Sequence, residues 1–269
     1  MNDECSLSAD DHYDYACFVL DMFGKNWSNV VALVGDNCST NGAFSARSKV
    51  PLIGCSSHRF NLAVNDILVN YEPILSDVHT LMTKLKNLIP AAKLRAFTPL
   101  QAVTRNKNRW SSTFAMLERY VAIRGSIGQI IDRDIQNLAL SPRQDNKVDE
   151  LLVILADLNT VTLALQCDDL TMQGVRDHFD TVLEDHPGMT SRLACNSKNV
   201  KNPDFEVGVV KILAGRESSL TPGEKKCVAS LLRPTNPASG KTVESLTLDQ
   251  RAKKRAKPGE SLYVDCRFL

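Results

Sequence analysis

The chain has 269 residues, and its 32 Lys and Arg nearly balance its 31 Asp and Glu, which leaves a net charge of +1 at pH 7. Hydrophobic residues make up 43% of the sequence and charged residues 23%, which excludes a disordered chain, a collagen-like repeat and a coiled-coil rod. At about 150 residues per domain, this length predicts two domains or one large one. Because the overall charge is balanced, a site for a polyanion would have to come from a local cluster of charge.

The first 71 residues alternate between predicted helices and strands. Apolar residues at helical spacing predict an amphipathic helix over residues 10–23, with Ser8 as its cap and Gly24 as its stop. The β-branched run over residues 30–34 predicts a short buried strand that delivers Asp36 at its carboxyl end. The other predicted elements are a short helix, a short strand and a longer helix, over residues 39–47, 51–54 and 57–71.

From residue 73 onward, apolar residues three and four positions apart predict helices almost throughout. A polar stretch over residues 187–203 interrupts this pattern. Residues 233–260, which contain the basic run RAKKRAK, are typical of an exposed linker. The predicted helices cover residues 74–88, 110–140, 148–165, 170–183, 205–214 and 221–232.

Cysteine usage and the amino terminus bear on localisation. The eight cysteines include no CxxC pair and form no dense framework, which is typical of a reducing compartment. The amino terminus carries acids instead of a basic region followed by an apolar run, and no apolar stretch of about 18 residues occurs. The sequence therefore predicts a protein that is neither secreted nor inserted in a membrane.

Charge is unevenly distributed along the helical part. Residues 84–133 contain ten basic and two acidic residues, whereas residues 145–185 contain ten acidic and two basic residues. Two interpretations are open: the two segments pair with each other in the fold, or the basic segment binds a polyanion.

Two motifs could contribute to a metal site. Asp36 could hold a divalent cation if other acids converge on it, or it could cap the following turn and helix. Cys55 and His58 form a CxxH pair, which is half of the set of about four ligands that zinc needs. The alternative is a buried structural cysteine and a histidine at a helix start. A Cys–His nucleophile would need an orienting third group, which the neighbouring sequence does not identify.

A third motif combines cations with an indole. Arg105, Lys107 and Arg109 precede Trp110 at the predicted start of a helix. The cations could neutralise phosphates while Trp110 stacks on an unpaired base, a contact of about 1–3 kcal/mol. The alternative is that Trp110 anchors the core and its charged neighbours are solvated.

Taken in order, the segments GDNCSTN, CSSHRFNLAV and NRWSSTFAMLERY resemble the hAT family of cut-and-paste DNA transposases, including its domesticated relatives. The resemblance implies an RNase H-like catalytic fold interrupted by a large helical insertion, with two Asp and one Glu binding two Mg²⁺ or Mn²⁺ ions. Asp36 matches the family's second Asp, and Cys55 with His58 matches its CxxH. Arg109 with Trp110 matches an Arg–Trp pair whose Trp is implicated in holding a flipped base.

The resemblance also implies the fold class and the domain organisation. We expect an α/β protein with an incomplete RNase H-like core of a few short strands and a large all-α insertion, predominantly helical overall. The partial core covers residues 1–72, and the helical insertion covers residues 73–232. Residues 233–260 form a flexible basic linker, and residues 261–269 begin the returning RNase H-like segment.

Departures from the family pattern decide the expected activity. The family's first Asp lies on strands that precede this sequence, and its third acid follows a strand resembling SLYVDCRFL. Neither Glu184 nor Glu206 matches the position of a missing acid. The family's zinc finger and most of its dimerisation segment are also unmatched. One carboxylate cannot hold two divalent ions. We therefore expect a transposase fragment or remnant, truncated at both ends and catalytically inactive, without bound Mg²⁺ or Mn²⁺.

The expected partner is DNA, bound weakly through the basic segment, with homo-oligomers expected of the intact family. An alternative is a domesticated module that binds another protein through the helical insertion. A third interpretation is a nuclease completed by another chain. The family's work on nuclear DNA and the basic run over residues 251–257 favour a nuclear protein.

Overall fold

The structure is a computed structural model, and it describes residues 8–106 and 108–232. Within these residues the protein is predominantly helical, with one parallel pair of short strands. The described chain divides into two compact units. The first contains residues 8–55, 169–177 and 198–232, and the second contains residues 56–168 and 178–197.

The two short strands are β1 (Leu33–Gly35) and β2 (Leu52–Gly54), aligned so that Leu33 lies beside Leu52. The helices of the described residues are, in chain order, α1 (Ala9–Met22), α2 (Ser39–Ser48), α3 (Ser56–Leu68), α4 (Glu72–Lys86), α5 (Leu88–Arg95), α6 (Trp110–Ile127), α7 (Arg133–Gln136), α8 (Pro142–Ala164), α9 (Met172–Asp185), α10 (Thr190–Leu193), α11 (Pro203–Leu213) and α12 (Pro222–Cys227). Because β1 and β2 are parallel, a crossover must connect them, and α2 provides it.

The core of the first unit packs β2 against α11 and the segment around α12. Its buried apolar residues are Ile53, Phe205, Val209, Ile212, Leu220, Val228 and Leu231. The Asn202 side-chain amide donates to the Leu52 carbonyl oxygen at 3.1 Å, which ties the start of α11 to β2. Thr221 caps α12 in a capping box with Glu224, as its sequence predicts.

Aromatic rings hold α1 on α2. Tyr13 stacks on Trp27 with 5.2 Å between ring centroids, and Trp27 meets the edge of Phe44 at 5.8 Å. The Arg47 guanidinium lies 4.3 Å from the Tyr13 ring centroid and pairs with Asp10. No residue of α1 is fully buried. The large apolar side chains of Tyr15, Phe18 and Met22 on α1 are exposed, as is that of Phe23, the C-cap residue.

The second unit buries the apolar faces of several helices. α4 contributes six buried residues and α6 contributes seven, at the three- and four-residue spacing of one helix face. Phe60 of α3 stacks on Phe179 of α9 with 6.2 Å between ring centroids. Most of the large buried side chains of the described residues belong to this unit, so its fold rests chiefly on apolar burial.

In the second unit, one predicted helix needs correction and one helix was not predicted. The helix predicted over residues 110–140 ends at Ile127, and Asp132 then caps the short α7 by accepting from the backbone N–H groups of Asp134 and Ile135. The apolar spacing continues across this break, which is why the pattern did not reveal it. α5 follows the helix predicted over residues 74–88 and was not predicted. Pro90 lies in its first turn, which tolerates proline because the N–H groups there have no partner in the helix.

The buried strand predicted over residues 30–34 also needs correction. β1 covers three residues, and Val34 at its centre is 64% exposed. Side chains of a strand alternate between the two faces of the sheet. The face on which Val34 lies is uncovered by the residues that the structure describes.

The two compact units of the described residues are bounded differently from the predicted domains, whose assignment as core and insertion stays a prediction. The first unit ends its opening segment at residue 55 instead of 72, and residues 198–232, predicted in the insertion, belong to it. The reason is that α11 and the residues around α12 bury their apolar side chains with Ile53 of β2. The predicted linker over residues 233–260, with its basic run, and the predicted strand over 261–269 lie outside the described residues.

Candidate functional site

Asp36 follows β1 directly, at the carboxyl end of the parallel strand pair. Its Oδ1 accepts hydrogen bonds from the Cys38 backbone N–H at 3.3 Å and from Asn41 Nδ2 at 2.9 Å. The same Asn41 amide donates to the Asp36 carbonyl oxygen at 3.1 Å. The carboxylate therefore organises the entry into α2, which is the structural alternative that the sequence left open.

The two-ion site that the resemblance implies needs further ligands beside Asp36. Within residues 8–106 and 108–232, no three His, Cys, Asp or Glu side chains lie close enough together to hold a metal ion. Neither Glu184 nor Glu206 belongs to such a cluster. Mg²⁺ binds oxygen ligands in near-octahedral geometry and is usually held by one or two carboxylates plus substrate phosphates. Asp36 alone would not supply the ligands of two such ions, and its metal role stays a prediction from the resemblance.

Two asparagines near Asp36 occupy the space above two glycines, a feature that the sequence did not reveal. A Cβ atom placed on Gly54 would lie 2.9 Å from Asn37 Nδ2, and one placed on Gly35 would lie 2.9 Å from Asn41 Nδ2. The polar side-chain atoms of Asn37 are buried without a hydrogen-bond partner among the described residues. A side chain at either glycine would therefore force the facing amide to move.

Cys55 lies between β2 and α3, and His58 lies within α3. The Cys55 backbone N–H donates to the Gly35 carbonyl oxygen at 2.6 Å and extends the pairing of β1 and β2. His58 lies in the first turn of α3. Both side chains are partly buried. A metal role for this CxxH pair stays a prediction from the resemblance.

Arg59, next to His58, is a buried cation that sequence reasoning missed. The side chain of Arg59 donates from Nη2 to three consecutive carbonyl oxygens at the end of α10: Arg192 at 3.3 Å, Leu193 at 3.5 Å and Ala194 at 3.3 Å. Its guanidinium carbon also lies 5.4 Å from the Phe179 ring centroid. The residue is 4% exposed, and its carbonyl contacts replace part of the hydration that burial removes. Arg59 therefore ties α3 to the end of α10.

Trp110 is buried at the start of α6, with only 2% of its surface exposed. Asn61 of α3 holds this start: its Oδ1 accepts from the Trp110 backbone N–H at 3.2 Å, and its Nδ2 donates to the Asn108 carbonyl oxygen at 3.2 Å. The Trp110 ring lies 6.1 Å from that of Phe114. In this structure Trp110 anchors the core of the second unit, and its ring is not accessible to an unpaired base.

The cations before Trp110 lie in different environments. Arg105 makes a two-pronged ion pair with Glu72, at 2.9 and 2.5 Å, and its side chain is only 6% exposed. Arg109 is the N-cap residue of α6 and is exposed. Lys107 lies outside the described residues. Of the three predicted phosphate contacts, Arg109 is the one that the structure describes as exposed.

Ion pairs neutralise part of the basic segment. Arg124 of α6 bonds to Asp149 of α8, at 3.0 Å to each carboxylate oxygen, and so joins the basic segment to the acidic one. Tyr120 donates to Asp145 of α8 at 2.6 Å; burial raises the pKa of this phenol, and the hydrogen bond to Asp145 raises it further. The other pairs of the basic segment are Lys84 with Asp134, Lys93 with Asp132 and Arg105 with Glu72. Surface pairing of the two segments is thus seen between α6 and α8.

Comparison with models of protein families and with curated proteins finds no match for this chain. None of the described helices is long and apolar enough to cross a membrane. The function is therefore inferred from the motifs and from the geometry of the described residues.

Proposed function

We propose that this chain derives from a hAT-type transposase and binds DNA weakly through the surface around Arg109. The order of the three motifs is the observation that carries the proposal. GDNCSTN links β1 to α2, CSSHRFNLAV opens α3, and NRWSSTFAMLERY opens α6. A partial RNase H-like core with a helical insertion belongs to the same proposal. A nuclear location is also part of this proposal and is supported by the basic run over residues 251–257.

The proposed DNA contact is electrostatic. Arg109 is exposed beside the first turn of α6, where backbone N–H groups add positive potential. Because Trp110 is buried and Arg105 is paired with Glu72, phosphate contacts by Arg109 and Lys107 carry the proposed binding. Such binding reads no base sequence and weakens steeply with salt.

We do not expect strand cleavage or transposition by these 269 residues alone. Asp36 is the single residue matched to the family's three acids, and it bonds to Cys38 and Asn41. The third interpretation, a nuclease completed by another chain, requires metal-dependent cleavage that Asp36→Asn abolishes. A cleavage assay with Mg²⁺ and Mn²⁺ on the wild type and this variant therefore distinguishes an inactive chain from a nuclease completed by another chain.

DNA binding is tested by reversing charge at the proposed contact. The double variant Lys107→Glu, Arg109→Glu should bind a labelled 20-base-pair duplex at least tenfold more weakly than the wild type, measured by fluorescence anisotropy at low salt. Arg143→Glu is the matched control, since Arg143 is exposed at the start of α8, outside the basic segment. Wild-type affinity should fall with rising salt. Equal binding by the wild type and the double variant would contradict the proposal.

The second candidate function is a protein-interaction module. It is favoured by large apolar side chains that the described structure leaves exposed, including Phe18 and Met22 on α1 and Leu88 and Ile89 on α5. Exposed apolar patches on a folded protein are typical of interaction sites. This function predicts a monodisperse chain that binds a protein partner without DNA, which light scattering and nuclease treatment test.

A further inference from the structure

An apolar groove lies in the second unit, between α5 and the segment that follows it. Its floor contains Leu85 at the end of α4 and Leu94 of α5, which are 1% and 2% exposed. Leu88 and Leu100 line its sides and are 82% and 37% exposed. The cavity has a volume of about 240 Å³. It is therefore an apolar depression whose borders present leucine side chains to solvent.

Hydrogen bonds hold the border formed by residues 98–104 in place. Arg119 of α6 donates to the Gln101 carbonyl oxygen at 2.7 Å, and the Leu100 backbone N–H donates to the Thr98 hydroxyl at 3.2 Å. Lys86 at the end of α4 reaches the Thr104 hydroxyl at 3.4 Å. The groove is thus formed without a ligand, as in most binding sites.

The groove carries positive charge that is not neutralised by ion pairs, unlike other parts of the basic segment. Lys86 and Arg95 line it together with apolar and uncharged polar residues, and no acidic residue lines it. Among residues 8–106 and 108–232, neither cation has an ion-pair partner, whereas Lys84 and Lys93 nearby pair with Asp134 and Asp132. An occupant that buries apolar side chains here would therefore gain from carrying acids at its edges.

We propose that this groove binds an acidic amphipathic helix of a partner protein. One or two bulky apolar side chains of that helix would enter between Leu88 and Leu100, while its Asp or Glu residues would face Lys86 and Arg95. The cavity is smaller than the roughly 300–1,000 Å³ of small-molecule sites, and apolar anchors at helical spacing are the usual occupants of such a groove. The inference rests on the interaction-module function and is independent of DNA binding.

Selection from a display library of randomised 16-residue peptides, with the full chain as target, tests the proposal. We expect enrichment of peptides with bulky apolar residues three or four positions apart and acids between them. The best such peptide should bind Leu88→Asp and Arg95→Glu at least tenfold more weakly than the wild type. Ile131→Asp, at a 94% exposed site of the same unit, is the matched control and should bind normally.

Leu88 and Arg95 are exposed, so these substitutions leave the buried core unchanged, and circular dichroism of each variant checks its fold. If the selected peptides bind Leu88→Asp with the same affinity as the wild type, the groove is overturned but the interaction module is not. A selection that enriches basic peptides, or a 16-base single-stranded DNA that binds with the same dependence on Leu88, would overturn the proposed acidic helix. Failure to enrich any peptide would overturn the groove, whereas the module would be overturned by the absence of a protein partner for the full chain.

Discussion

Helices α1 and α6 have comparable lengths of 14 and 18 residues but differ sharply in burial. α6 buries seven side chains against its neighbours, whereas α1 buries none and is held by the rings around Trp27 and by the contacts of Arg47. Both sequences show apolar residues at helical spacing. The comparison shows that this pattern predicts a helix but not how much of its apolar face the fold covers. Stability should therefore depend on α6, and association should depend on α1.

The sharpest test of this comparison removes a buried side chain from α6. Leu117 is fully buried, so Leu117→Ala should lower the free energy of unfolding of the second unit by about 2–5 kcal/mol. The chain has two tryptophans, one in each unit, so a Trp27→Phe background leaves Trp110 as the reporter of the second unit. Urea unfolding followed by fluorescence gives the value.

Val153→Ala is the matched control, because Val153 lies on α8 in the same unit and is 66% exposed. It should change the free energy of unfolding by less than about 0.5 kcal/mol. Similar losses for the two variants would mean that α6 does not carry the stability of this unit.

A smaller effect is expected in the first unit, where a buried ion pair joins α11 to α12. Lys211 Nζ donates to both carboxylate oxygens of Glu224 at 2.8 Å. Burial acts to raise the pKa of Glu224, but the hydrogen bonds from Lys211 and Thr221 outweigh it and hold this pKa below its ordinary value of 4.5. The ionised carboxylate therefore stabilises the fold above about pH 4.5, and this stability is lost as the pH falls through the lowered pKa.

Glu224→Gln should lower the free energy of unfolding by about 1 kcal/mol at pH 7, because it removes the charge but keeps a capping side chain. It should also reduce the loss of stability between pH 6 and pH 3. Urea midpoints at both pH values, reported by Trp27 in a Trp110→Phe background, provide the measurement. An unchanged pH dependence would show that Glu224 is not the group whose protonation matters.

The smallest effect on stability is expected on the exposed side of α1. Phe18 is 60% exposed, so Phe18→Ser should change the free energy of unfolding by less than about 0.5 kcal/mol. The same change should reduce concentration-dependent association, measured by light scattering, because it removes an exposed aromatic side chain. A large loss of stability would show that α1 contributes more to the fold than its burial indicates.

Local signals were sufficient for much of the fold. The Ser8 cap of α1 and the Thr221 cap of α12 were predicted because both partners of each capping box lie within four residues. The carbonyl contacts of Arg59 were not, since its partners lie more than 130 residues away in the chain. At the site, the sequence could not tell that Arg109 is exposed while its neighbour Trp110 is buried, because the packing of α6 decides both.

The carbonyl contacts of Arg59 bear on how this sequence can change over evolutionary time. Lys could not reproduce the planar guanidinium that lies against three successive carbonyl oxygens and the face of Phe179. Selection for folding alone is therefore enough to retain Arg59. The same holds for the buried Trp110. Folding therefore constrains the buried Arg59 and Trp110, whereas it places no such constraint on the exposed Arg109.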